Sequence, residues 1–230
     1  MLYNKKMNRI GTENENSLHA QIKELYAQTG DKVESRVGNY IIDLVRHELL
    51  IEIQTGNFSA IRNKLKNLVD DYQVRLIYPI AKEKWLVHVD EKGKLLRRRK
   101  SPKKGRITDI FYELIRIPQL ITHPNFSLEV LFIREEEVRC NDGKGSWRRK
   151  GVSIVDCRLL DVVGEKLFKN KEDFLSLLPT DLPSKFTNHD LSKLLDISIY
   201  RARKMSYCLR KMTAIEVVGK KGNTYLYSAR

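Results

Sequence analysis

The chain has 230 residues, 41% hydrophobic and 31% charged, enough apolar material for one large domain or for a medium domain with a smaller one. Its 43 Lys and Arg outweigh 29 Asp and Glu, giving a net charge of +14 and a pI near 9.6, which favours polyanionic partners, nucleic acid first among them. No apolar run reaches the roughly 20 residues that span a bilayer, Met1–Met7 lacks the apolar stretch of a secretion signal, and Cys140, Cys157 and Cys208 form no CxxC pair; these features count against a membrane protein, a disulfide scaffold and a zinc framework, and point to a reduced, cytoplasmic protein.

In chain order, Leu18, Ile22, Leu25 and Tyr26 recur at helical spacing between Glu15 and Tyr26, and Thr29-Gly30-Asp31 closes the segment. Tyr40–Val45 and Leu49–Gln54 are strand-length apolar runs, separated by Arg46-His47-Glu48 and ended by Thr55-Gly56-Asn57. A helix follows, with Ile61, Leu65, Leu68 and Val69 on one stripe and Arg62, Lys64 and Lys66 off it. Val74–Ile80 and Lys84–Val89 predict two more strands, so the order is that of an α/β core. Leu96–Arg106 is basic and carries breakers, and a loop is expected there. Ile107–Ile117 predicts a helix stopped by Pro118, and Phe126–Val138 a strand ended by a turn over Asn141–Ser146.

The last part changes character. Asn170-Lys171-Glu172-Asp173 and Thr187-Asn188-His189-Asp190 are capping-box patterns that open short helices, and Ser198 can cap a third helix reaching Met212. Ile215–Val218 and Thr224–Tyr227, flanking Gly219–Asn223, predict a hairpin with a basic tip. Three short helices and a hairpin are the winged-helix order. The expected organisation is therefore an α/β domain over 1–167 and a small winged-helix domain over 168–230.

Two carboxylates stand out in the early strands. Asp43 lies within Tyr40-Ile41-Ile42 and Leu44-Val45, an apolar run expected of a strand covered on both faces, and Glu52 lies between Ile51 and Ile53. Burying an ionised carboxylate without a partner costs several kcal/mol, so such a group acquires a cation or shifts its pKa. If the two runs form a hairpin, Asp43 and Glu52 converge. Two carboxylates with a backbone carbonyl, that of Ile53, suit Mg²⁺, a hard ion that also keeps waters and takes a phosphate oxygen. The bland alternative is a structural ion pair with a nearby Lys or Arg. His47, in the turn between the two runs, is a weaker candidate for a general base.

Asp43, eight intervening residues and then Glu52-Ile53-Gln54 resemble the PD-(D/E)xK nuclease superfamily in the variant with Gln at the motif's Lys position. The stretch from Asn14 to about Trp85 is similar to an uncharacterised bacterial family of that superfamily. The resemblance implies a restriction-endonuclease-like core, a mixed central sheet flanked by helices. It also implies that Asp43 and Glu52 hold Mg²⁺ or Mn²⁺, that Gln54 takes the position orienting the attacking water, and that Glu15 is an accessory acid. Two positions depart from the pattern: Ile42 stands where the motif has Pro, and Gln54 cannot supply a cation. Arg62 or Lys64 of the following helix is the nearest replacement.

In the third C-terminal helix, Ala202, Met205, Leu209 and Met212 form an apolar stripe, and Tyr200, Arg201, Arg203, Lys204, Tyr207, Arg210 and Lys211 lie off it. Cations and aromatics on one helical face suit a major-groove reader, with Ser198 at its start and Lys220 and Lys221 of the hairpin tip on flanking phosphates. The expectation is a Mg²⁺-dependent DNA endonuclease targeted by a winged helix, with DNA as partner and a homodimer as a candidate assembly. The alternative is a non-catalytic DNA-binding regulator with a degenerate nuclease-like domain, an option that Gln54 keeps open.

Overall fold

A computed structural model describes residues 17–229, and Glu15 lies outside them. By its internal contacts the chain forms two units, each gathered from three stretches. The first takes the described part of 1–29 with 79–105 and 131–165, and the second takes 30–78, 106–130 and the chain from 166 onward. Helix α1 (Ser17–Tyr26) opens the first unit, burying Leu18 and Ile22.

In the second unit, β1 (Lys32–Val37), β2 (Tyr40–Arg46) and β3 (Leu49–Ile53) form an antiparallel meander, with Val33 opposite Leu44 and Leu44 opposite Ile51. The turns are tight because Gly38 (φ 56°) and His47 (φ 50°) adopt left-handed conformations. β2 is not covered on both faces as its apolar run implies. Ile42 and Leu44 are fully buried while Ile41 is 64% exposed, so the strand alternates. Helix α2 (Phe58–Val69) then buries Phe58, Leu65, Leu68 and Val69 and returns the chain to β4 (Gln73–Val89), which lies parallel to β3 with Ile51 opposite Arg75.

β4 is one strand where the sequence predicts two. The polar stretch Ala81-Lys82-Glu83 does not break it, and the strand continues into the first unit. There it pairs with β5 (Leu95–Lys100), which forms where a loop was expected. β5 is exposed throughout; Arg98 lies 5.2 Å from the Trp85 ring and Lys100 5.1 Å, so the cations of this basic run pack on an aromatic face. β6 (Phe126–Asn141) and β7 (Val152–Phe168) complete the sheet, whose order is β1-β2-β3-β4-β6-β7 with β5 on β4. The protein is a mixed α/β fold with a central mixed sheet flanked by helices.

Glu135, Glu136 and Glu137 of β6 are all buried, and each has a cation. Lys84 Nζ lies 2.8 Å from both Glu135 and Glu137, and Arg98 Nε lies 2.7 Å from Glu136. Such pairing offsets a desolvation cost of several kcal/mol per ion. No described helix is long and apolar enough to cross a membrane.

The second unit also holds a short 3₁₀ turn (Ile107–Ile110), α3 (Phe111–Leu114) and the C-terminal elements α4 (Lys171–Leu175), α5 (Asn188–Leu194), α6 (Ile199–Lys211), β8 (Ile215–Lys221) and β9 (Thr224–Ala229). The long helix expected over Ile107–Ile117 is thus two shorter pieces. The three caps fall where the sequence places them: Asn170, Thr187 and Ser198 side chains accept backbone N–H bonds from Asp173, Asp190 and Arg201. The β8–β9 hairpin is joined by Phe186, whose N–H donates to the Tyr227 carbonyl at 2.9 Å.

The boundary expected near residue 167 does not separate a self-contained core from these helices. Arg201 on α6 pairs with Asp109 at 2.8 Å, Arg106 pairs with Asp196 at 3.0 Å, and the buried Phe174 ring lies 6.3 Å from Phe111. A chain ending at Phe168 would uncover Phe111 and leave Asp109 without its cation. Its melting temperature should therefore fall by about 10 °C or more, or the fragment should be insoluble. Thermal unfolding within a few degrees of the full chain would show that the α/β part closes alone.

Candidate active site and nucleic-acid face

The β2–β3 ladder ends at Leu44 opposite Ile51, and one further step sets Asp43 across from Glu52 on the same face. At that step a side chain replaces the ladder bond, as Asp43 Oδ2 accepts the Ile53 N–H at 2.8 Å. Glu52 is 4% exposed, and its Oε1 lies 2.5 Å from Lys64 Nζ. That contact is an ion pair by distance, and Oε1 has no aligned hydrogen-bond donor. Lys64 also donates to the Ile41 carbonyl at 2.5 Å, and Asn67, one turn on, donates to the Tyr40 hydroxyl at 2.7 Å. The polar flank of α2 is thereby fastened to the start of β2.

Burial pushes the Glu52 carboxyl up to about 7. The Lys64 ammonium pulls against that rise, and the Asp43 charge adds to it. Gln54 folds back, its side-chain amide donating to the Gly56 carbonyl. Glu113 of α3 accepts the Phe58 N–H at 2.9 Å and so serves the first turn of α2. Sequence reasoning did not find Glu113, because nothing in its local pattern points to a helix 55 positions earlier. Ile53 is buried, and His47 sits exposed in its turn.

Among the described residues, no three His, Cys, Asp or Glu side chains gather as a ready-made metal cage. What the hairpin offers is two facing carboxylates and the Ile53 carbonyl, with Glu52 Oε1 buried and lacking an aligned donor. Hard oxygen donors of this kind fit Mg²⁺ or Mn²⁺ once the Lys64 ammonium shifts off Oε1. The thiols are poor nucleophiles, since burial raises Cys157 to about 11 and Cys208 to about 12.

The residues expected to meet nucleic acid divide into two groups. Arg201 is turned inward: besides Asp109, its guanidinium reaches Tyr112 Oη and Thr108 Oγ1, each at 3.4 Å, and lies 5.3 Å from the Tyr112 ring. It is a strut between α6 and the segment before it, so it corrects the reading as a free phosphate contact. Ser198 is occupied as the cap of α6, and Lys204 lies 4.7 Å from the Tyr200 ring. Arg203, Tyr207, Lys211, Lys220 and Lys221 are exposed, and Tyr200 is 59% exposed. Arg203, Tyr207 and Arg210 line a groove of about 360 Å³ together with Asn188 and His189 of α5 and Tyr225 of β9.

By fold and site this is a mixed α/β protein with facing carboxylates on a β-hairpin, a lysine-bearing crossover helix and an exposed basic helix near its C-terminus. The chain belongs to the family described as Domain of unknown function (DUF8091), whose model matches residues 16–169. It is 32% identical over 185 residues to an uncharacterized protein of Treponema pallidum (strain Nichols), covering 80% of this chain and 74% of that one. No solved structure matches it.

The raised Glu52 carboxyl keeps a proton in the folded state that the unfolded chain releases near 4.5, so stability should fall as pH rises from about 4.5 through about 7. The loss is on the order of 3 kcal/mol. Glu137 is held low by Lys84 and Arg139 despite its burial; its contribution disappears only at pH below 4.5, outside this window. In chelator-containing buffer, urea midpoints should decline from pH 5 to pH 8, and Glu52→Gln should flatten the decline. An equally steep profile in Glu52→Gln would assign it to other groups.

Proposed function

We propose that the protein is a cytoplasmic Mg²⁺- or Mn²⁺-dependent DNA endonuclease of the PD-(D/E)xK type, in which Lys64 supplies the cation that Gln54 does not. The observation that carries this reading is the group formed by Asp43, Glu52 and Lys64. Two carboxylates face each other across a hairpin, and the ammonium stands 2.5 Å from the buried one. The chain order supports it: a helix, three antiparallel strands, a helix and a strand parallel to the third are compatible with the mixed sheet flanked by helices that the resemblance implies.

Asp43, Glu52 and the Ile53 carbonyl would hold the ion, which when bound lowers the pKa of a water and offsets charge on the attacked phosphate. Lys64, half-buried on α2, would place its ammonium beside that phosphate, where a preorganised cation stabilises developing charge. Gln54 lies one alternation beyond Glu52 on the same side and can position a water, though not as a base. The C-terminal helices and hairpin act as a winged helix that holds DNA through Arg203, Tyr207, Lys211, Lys220 and Lys221, and a homodimer would present two such sites to a duplex.

A second reading is favoured by the partners both carboxylates already have, Asp43 with the Ile53 N–H and Glu52 with Lys64. In that reading the hairpin group is structural and the protein is a DNA-binding regulator.

Supercoiled-plasmid nicking in Mg²⁺ or Mn²⁺ separates the two. Wild type should nick, and Asp43→Asn, Glu52→Gln and Lys64→Ala should each lose about 100-fold or more while DNA affinity holds. Gln54→Lys should retain or raise activity. Wild-type protein that binds DNA and nicks with neither metal establishes the regulator reading.

A further inference from the structure

Helix α2 presents a second basic face. Residues two apart on a helix point in nearly opposite directions, so Arg62 and Lys66 lie away from Lys64 and its carboxylates. They line a pocket of about 500 Å³ with Arg116 and with Lys211 of α6. Among the described residues none of these four cations has an acidic partner, whereas Arg46, Lys64, Arg75, Lys84, Arg106 and Arg201 all do. The one acid in the lining is Asp70, largely exposed and 3.9 Å from His123 Nε2. The C-terminal ends of α2 and α6 help tolerate Lys66 and Lys211, and Arg116 follows the end of the short α3, but Arg62 in the first half of α2 gains no such offset. Four cations held around one concavity repel each other until an anion enters.

The pocket is more than a charged rim. Its inner wall is the buried surface of Val69, Ile117 and Leu120, and the Tyr207 ring, 39% exposed, stands at its edge with Lys211 Nζ 5.9 Å away. Cations at the mouth, an apolar wall and an aromatic edge match a phosphodiester with its attached sugar or base.

We infer that this pocket is a phosphate-binding subsite for nucleic acid, a grip that extends from Tyr207 and Lys211 of α6 onto Arg62 and Lys66 of α2 and onto Arg116, which the α6 face and the hairpin tip do not include. It deepens the nucleic-acid reading above and rests on that reading for the identity of its ligand. Because α2 carries Lys64 on one side and the pocket on the other, a strand held here is registered to the same helix that serves the carboxylates.

The test is fluorescence anisotropy of a labelled duplex oligonucleotide in EDTA across a salt series, so that no cleavage contributes. Arg62→Ala with Lys66→Ala, and separately Lys66→Ala with Arg116→Ala, should weaken binding by about 10-fold or more at moderate salt. Each pair should reduce the log–log salt slope by about 2, one unit for each phosphate no longer neutralised. Lys92→Ala with Lys94→Ala removes equal charge from the exposed turn before β5 and should leave the slope near wild type. Melting temperatures should be unchanged for all three.

Wild-type affinity and slope in both pocket pairs would overturn the subsite while leaving the nuclease reading standing. Absent plasmid nicking together with pocket-sensitive DNA binding would do the reverse. If the pairs abolish calorimetric binding of a free nucleoside monophosphate but leave duplex binding intact, the pocket serves a small nucleotide and the inference fails.

Discussion

A carboxylate inside an apolar sheet acquires a cation or keeps a proton, and Glu52 in the second unit does both in part, with Lys64 against it and its carboxyl raised to about 7. The ammonium touches Glu52 and the Ile41 carbonyl, so one side chain joins α2 to both strands of the hairpin. The same contact fixes the rotation of α2. With Lys64 toward the hairpin, Leu65, Leu68 and Val69 are buried, and Arg62 and Lys66 are left to the other side. The electrostatics of one glutamate thereby decide which cations face the sheet and which face outward.

Much of this was legible in the sequence where the pattern is local. The β2–β3 hairpin, α2 and the three C-terminal caps follow from apolar period, turn residues and Ser, Thr or Asn at helix starts. Asp43 and Glu52 could be paired on paper because strand alternation and a two-residue turn leave one register. The losses are equally physical. β5 reads as a loop because its cations give no apolar alternation, yet packing against Trp85 and the ion pairs to Glu83 and Glu136 order it as a strand. Ala81-Lys82-Glu83 reads as a break in β4 because polarity alone does not reveal that a strand runs on through it.

Non-local pairing explains the remaining gaps. Arg201 looked available because helical periodicity places it off the apolar stripe. Its true environment is set by Asp109, Tyr112 and Thr108, some 90 positions earlier in the chain. Glu113 and Arg116 were invisible for the same reason, since their roles are defined by α2 and α6 rather than by their neighbours in sequence. A single sequence reports what a residue prefers, and only the fold reports what it meets.

The alternation of the chain between its two units bears on how the protein is made. β4, β6 and β7 each start in one unit and finish in the other, so neither unit corresponds to an uninterrupted stretch of polypeptide. During synthesis the β1–β3 meander and α2 leave the ribosome long before α6, whose Arg201 neutralises Asp109. Vectorial, domain-by-domain maturation is closed to such a chain. β4 waits with an open edge for β6, whose Glu129 meets Arg75 across 54 positions of chain, the order of events that slows folding and invites association between nascent chains. The surplus of positive charge on the chain, +14 over 230 residues, acts during that interval as a repulsion between unfinished copies.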